Sequence, residues 1–231
     1  MNLTQISEHV YKLTVKAVVG IPITINTWYV VKDNEVYIID TGIEQYAELQ
    51  IKVAQLLGEP KAIYLTHGHV DHIGAAKTIK DKLNVEVYAH SNELKYINNE
   101  EAYPNKDKIE STNISHEVKA LDSKQFDELP LKYIFTPGHA PGHVVFYHEE
   151  DEVLICGDLF ISEEDALHPP IKKFTYNLNE NIESGYIIND LKPKIITTSH
   201  GRDMNYSKSA YEIYRFKYEE SLRSEERRVG K

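Results

Sequence analysis

The first half of the chain alternates short apolar runs with segments whose apolar positions recur every three or four residues, the pattern of strands and helices layered on a sheet. Residues 26–31 and 35–39 read as two buried strands joined by a Lys32-Asp33-Asn34 turn, the second ending at Asp40-Thr41-Gly42. From Glu44, the spacing of Tyr46, Leu49, Val53 and Leu57 predicts a helix that Gly58 and Pro60 stop, and a strand follows over 62–65. Ile73, Ala76, Ile79 and Leu83 mark another helix, succeeded by a strand over 85–88. Residues 98–128 are polar without a clean period, which fits an insertion, a lid or ordinary surface packing. Strand signals resume at 133–135, 144–147, 153–156 and 195–198, with helical stretches near 178–191 and 207–222. The class expected is α/β, with no internal repeat.

Composition narrows this without changing it. The 231 residues carry 36 acidic against 26 basic side chains, a formal charge of −10, with 41% hydrophobic residues. That is enough apolar material for one domain of above-average size. Without a dense Lys/Arg stripe, an acidic chain is poorly suited to neutralising phosphate backbones, so nucleic acid is not expected as a partner. No apolar run approaches the roughly 18 to 20 residues a membrane span needs, and the first eight residues lack a basic-then-apolar leader, so no membrane association and a cytoplasmic location are expected. Cys156 is alone and sits in the run Val153-Leu154-Ile155-Cys156, where a small buried thiol is expected. Residues 223–231 break the composition and resemble the translated read-through of a sequencing adapter; the domain is taken as 1–222 and the tail as non-native.

The concentrated chemistry lies in Thr66-His67-Gly68-His69-Val70-Asp71-His72, between a strand and a helix. Imidazole and carboxylate donors suit zinc, iron or manganese, and one short loop presents them convergently without thiolates. His67 and His69 alternate in extended chain and so face one way, toward one ion; Asp71 and His72, where the chain turns into the helix, reach toward a second. Three later loops, each after a strand-like run, add His139 in Thr136-Pro137-Gly138-His139, Asp158 after Gly157, and His200 before Gly201. No Gly-x-Ser-x-Gly nucleophile elbow is present.

This order of residues, with Asp40 ahead of it, resembles the metallo-β-lactamase superfamily over roughly residues 10–201, in its glyoxalase II-like, uncharacterised hydrolase subgroup. The resemblance implies a four-layer αβ/βα sandwich. It implies that His67, His69 and His139 hold one zinc, that Asp71, His72 and His200 hold the other, and that Asp158 bridges them, with iron or manganese as alternatives. Asp71 and Asp158 are the candidate catalytic residues. Asp40 would anchor the ligand loop through hydrogen bonds rather than bind metal. Two ions about 3.5 to 4 Å apart would acidify a bridging water into a hydroxide that cleaves an ester, thioester, lactone or related bond of a small molecule.

The histidines outside this set, at 9, 90, 116, 143, 148 and 168, are expected to be surface or structural residues. Of the two in Pro137–His143, His139 is the expected ligand, and His168 beside Pro169-Pro170 is a weaker candidate for the pocket wall. Against a true β-lactamase stands Asp158, where the resemblance would place cysteine or serine. Phe160 stands against a lactonase, which commonly carries tyrosine nearby. The absence of a glutathione-binding segment stands against a full glyoxalase II, and His69 against a flavodiiron reductase. The alternative is a mononuclear iron persulfide dioxygenase using His67, His139 and Asp158. Oligomeric state is open.

Overall fold

The structure, a computed structural model, describes residues 1–121, 131–163 and 166–229. Its first sheet has seven strands in chain order: β1 (Asn2–Gln5), β2 (Val10–Val19), β3 (Ile21–Lys32), β4 (Glu35–Ile39), β5 (Glu59–Tyr64), β6 (Glu86–Ala89) and β7 (Val118–Ala120). The strands β1 to β4 pair antiparallel, and from β4 to β7 the pairing is parallel. The β3–β4 hairpin follows the sequence expectation, with Asp33 and Asn34 at φ 50° and 67°, the left-handed pair a tight two-residue turn requires. The parallel steps are crossed by α1 (Ala47–Leu57), by α2 (Val70–Ile73) with α3 (Ala76–Leu83), and by α4 (Ser91–Ile97).

The second sheet runs in the order β14-β13-β10-β9-β8, with β8 (Leu131–Phe135), β9 (Val144–His148), β10 (Val153–Ile155), β13 (Ile195–Thr197) and β14 (Met204–Asn205). A separate hairpin of β11 (Ile161–Glu163) and β12 (Ala166–His168), unmarked by periodicity, stands beside it. The helical stretch expected over 178–191 is two helices, α5 (Leu178–Ser184) and α6 (Ile187–Leu191), and the last helix, α7 (Ala210–Val229), runs on through most of the segment set aside as a tail.

Three apolar clusters define the layers. Ile38, Ile63 and Val87 meet Ile51, Ala54 and Ile79 between the first sheet and α1 and α3. Trp28, Val30, Tyr64, Phe146 and Ile155 fill the space between the sheets. Leu154, Ile196, Ile182, Ile188, Tyr211 and Tyr214 join the second sheet to α5, α6 and α7. Helix, sheet, sheet, helix is the expected four-layer arrangement.

Polar ties cross between the sheets. Asn26 Nδ2 donates to the carbonyls of Thr198 (2.8 Å) and Gly201 (3.0 Å), and Trp28 Nε1 donates to Thr197 Oγ1 at 2.9 Å. Asp151, beyond β9, accepts from both the backbone N–H and Nδ1 of His9, each at 2.8 Å, and donates its own N–H to His148 Nδ1 at 3.2 Å. His9 and His148 thus meet on the same carboxylate-bearing turn, Asp151.

Residues 98–117, which lead into β7, form a packed loop. Asn99 Oδ1 accepts from Thr112 N at 2.8 Å, and Tyr103 and Ile114 are buried. Residues 122–128 of the polar stretch and 230–231 of the tail lie outside the described residues.

Candidate metal centre

Directly after β4 stands Asp40, a buried residue at φ 55° whose carboxylate faces the loop after β5. Its Oδ1 accepts from Thr66 N (2.8 Å), and its Oδ2 accepts from Thr66 Oγ1 (2.7 Å) and from Nδ1–H of His72 (2.8 Å). With its own proton given to Asp40, Thr66 Oγ1 accepts from His67 Nδ1 at 3.1 Å. The anchoring role the resemblance implied for Asp40 is thus met by hydrogen bonds. His69 ends the extended segment and precedes α2, which carries Asp71 and His72.

The three other expected residues come from the second half of the sandwich. His139 lies between β8 and β9, Asp158 after β10, and His200 after β13. His139 Nδ1 donates to Thr175 Oγ1 at 3.3 Å, and His200 Nδ1 donates to the Thr24 carbonyl at 2.7 Å. Four of the five histidines therefore give one ring proton to an outer acceptor, which leaves the Nε2 lone pair directed inward.

The seven predicted side chains cluster beneath one cavity of about 1290 Å³: His69, Asp71, His139, Asp158 and His200 line it, and His67 and His72 are buried behind them. His69 Nδ1 is 3.0 Å from both His67 Nε2 and His139 Nε2. Asp71 Oδ2 is 3.3 Å from His200 Nε2 and 3.8 Å from His72 Nε2. Asp158 stands between the two groups: its Oδ2 is 3.3 Å from His139 Nε2, and its Oδ1 is 3.4 Å from both His72 Nε2 and His200 Nε2.

Whether this donor set fits cations is answered by its unsatisfied atoms. His72 Nε2 and Asp158 Oδ1 are buried and have no hydrogen-bond partner, although buried polar atoms almost always have one. A cation placed among these lone pairs satisfies them, and imidazole nitrogen with carboxylate oxygen is a zinc, iron or manganese donor set.

Electrostatics divides the site. Burial pushes the His67 and His139 rings well below the ordinary histidine range and His69 down to about 4, which favours the neutral rings that a cation requires. Burial also opposes charge on His72 and His200, but Asp158 outweighs it with help from the other carboxylates, raising His72 and taking His200 to about 10. Asp158 resists its own burial and stays well below the usual carboxylate range because His200, His72 and His139 face it. Protons and a metal ion compete for these lone pairs.

Two residues with a part in this geometry escape sequence reasoning. His143, grouped with the structural histidines, is fully buried; its Nε2 accepts from Asp158 N at 3.1 Å while Nδ1 faces Thr136 Oγ1 at 2.9 Å. The doubled histidine in Pro137–His143 is the one signal for it. Glu93 on α4 is equally buried and accepts from Gly68 N, Gly142 N and the Tyr103 hydroxyl, with no signal at all in Ser91-Asn92-Glu93.

The remaining expectations sort simply. His90 caps α4 by accepting from Asn92 N at 3.2 Å, His116 is exposed, and His168 lines the cavity. Phe160 is turned away from the cavity, edge-on to Tyr214 in the outer core at 5.4 Å between ring centroids. Cys156 is fully buried among apolar side chains, which pushes its thiol far up.

Comparison with known proteins agrees with this geometry. The chain is 48% identical over 218 residues to the probable metallo-hydrolase YybB of Bacillus subtilis (strain 168), covering 94% of this chain and 99% of that protein. It is 34% identical over 132 residues to the hydroxyacylglutathione hydrolase GloC of Haemophilus influenzae, covering 53% of this chain and 59% of that one. The metallo-β-lactamase family protein TTHA1429 of Thermus thermophilus shares the fold at a TM-score of 0.72 with 21% identity, covering 94% of this chain and 81% of that one. The family described as the metallo-beta-lactamase superfamily matches residues 20–228, and with the sandwich and its histidine loop this settles that the chain belongs to the metallo-β-lactamase superfamily.

Proposed function

We propose that the chain is a binuclear metal-dependent hydrolase that cleaves a small-molecule ester, thioester, lactone or related bond. The observation that carries this reading is Asp158, whose two oxygens each face a different histidine group. His67, His69 and His139 would hold one ion and Asp71, His72 and His200 the other, with zinc the expected metal and iron or manganese compatible with the same donors. When bound, two such ions lower the pKa of a water toward neutrality and polarise a substrate oxygen. The chain's own work is to place these groups. Asp40, Thr66, Thr24 and Thr175 hold four rings by their outer nitrogens, and Asp71 and Asp158 are the carboxylates at the cavity floor, each an acceptor for a proton released there. The names of the probable metallo-hydrolase and hydroxyacylglutathione hydrolase relatives support hydrolysis. The formal charge of −10 points to a small molecule rather than nucleic acid as partner.

Metal analysis with a substrate screen tests this. Two ions per chain and hydrolysis of an ester, thioester or lactone are expected. One iron per chain with oxygen uptake would assign the mononuclear dioxygenase instead, a reading that gives the complete Asp71–His72–His200 group nothing to do. His67→Ala and Asp158→Ala are each expected to lower turnover by about three orders of magnitude or more and to reduce metal content. Equal activity in the Asp158 variant would overturn the binuclear mechanism.

A further inference from the structure

We infer that Glu93 is a positioning residue for the three-nitrogen half of the centre, a carboxylate that locks the loop bearing His67 and His69 to the loop bearing His139. The inference rests on the metal reading proposed above.

Glu93 lies in the first turn of α4, outside the seven predicted residues, and is completely buried. Its Oε2 accepts from Gly68 N at 2.9 Å and from the Tyr103 hydroxyl at 2.6 Å; its Oε1 accepts from Gly142 N at 2.6 Å. Gly68 is the residue between His67 and His69. Gly142 closes the turn that follows His139 and precedes His143, the residue that holds the backbone of Asp158. One side chain thus fixes two loops that arrive from opposite halves of the sandwich.

Both loops are shaped to admit it. A Cβ on Gly68 would stand 2.5 Å from the Tyr103 hydroxyl oxygen, and one on Gly142 would stand 2.7 Å from Glu93 Cγ. Any side chain at either place would push the carboxylate off the backbone N–H it accepts from. The Tyr103 ring lies edge-on to His69, with centroids 4.8 Å apart, so the same network also seats the ring whose Nδ1 is shared between His67 and His139.

The clamp is one-sided. Asp40 and the Thr24 carbonyl hold His72 and His200, and none of the hydrogen bonds of Glu93 reaches the elements bearing Asp71, His72 or His200. A carboxylate serving only general stability would weaken both halves together when altered. A clamp on two ligand loops weakens one.

Glu93→Gln keeps the shape and removes one acceptor. Whichever way the amide turns, its NH2 faces a backbone N–H, of Gly68 or of Gly142. The test is chelator competition on the full metal-free chain with zinc, repeated with cobalt(II) to read each half by its absorption, after far-UV circular dichroism has established that the variant is folded. The expected result is a loss of affinity of about 10- to 100-fold for the ion at His67–His69–His139, with the other ion bound within about twofold of wild type. Unchanged binding of both ions, or equal weakening of both, overturns the proposal. Should Glu93→Gln fail to fold, Tyr103→Phe decides: it keeps the ring against His69, removes one of the three donors, and is expected to weaken the same ion by about threefold to tenfold. A wild-type chain that binds a single ion overturns the binuclear reading but not this proposal, which then requires that ion to weaken. A wild-type chain that binds none overturns both.

Discussion

Asp40 Oδ2 accepts from Thr66 Oγ1 and His72 Nδ1 at once, so its loss acts on two ligand rings. In Asp40→Ala the His72 ring loses its short outer acceptor and keeps only Thr66 Oγ1 at 3.4 Å, while Thr66 is free to turn away from His67. A fall in metal affinity of about 10- to 100-fold is expected, read by chelator competition, with kcat falling in step at subsaturating metal. Cys156→Ala is expected to leave both metal content and turnover near wild type, because the thiol is buried in the outer core and is not among the cavity residues. The seven central residues are legible in sequence because ligating side chains crowd into one loop and recur at strand exits. Glu93 and His143 are not, since they reach the ligand-bearing loops through backbone N–H groups, which every residue but proline carries. Only the fold brings those groups to them.

Among the elements, α1 shows where apolar spacing misleads. The stripe Tyr46, Leu49, Val53 and Leu57 predicts its extent, but the face turned inward includes Ala47, Gln50, Ile51 and Ala54. Gln50 is buried and joins two strand residues and the loop after β4 to the helix: its Oε1 accepts from the Thr27 and Tyr29 hydroxyls, and its Nε2 donates to the Thr41 carbonyl. Gln50→Leu fits the volume but leaves those groups unpaired, and a loss of about 2 to 4 kcal/mol is expected from the urea midpoint of the metal-free chain. The interior strands β9, β10 and β13 announce themselves as β-branched and aromatic runs. By contrast α4 is silent because its inner face leads with a glutamate, and β2 because its period is broken by Lys12, buried against Asp203 at 2.6 Å.

For the whole molecule, the metal reading makes stability depend on occupancy. An ion that binds only the folded chain adds about 2.7 kcal/mol at a hundredfold excess over its Kd, so chelation is expected to lower Tm by several degrees, measured by calorimetry with and without chelator. A separate pH effect comes from His9, whose ring is raised by its hydrogen bond to Asp151. A raised folded pKa gives stabilisation that is complete below the unfolded value, about 6.5, and is lost as pH rises through the folded one. The Tm advantage of wild type over His9→Gln should therefore be greater at pH 5.5 than at pH 9. The layered architecture is legible from alternating strand and helix signals. The pairing of the halves is not, because it rests on contacts such as Asn26 with Thr198 and His9 with Asp151, 172 and 142 residues apart.

Each proposed ion takes ligands from both halves: His67 and His69 with His139 in one case, Asp71 and His72 with His200 in the other. Neither half alone keeps a complete set, so parting of the seam between the sheets would release both ions. Metal captured by a fluorescent chelator then escapes either through the cavity or through that opening, and any rise in the capture rate when the ties between the leaves are cut measures how far they hold the centre shut.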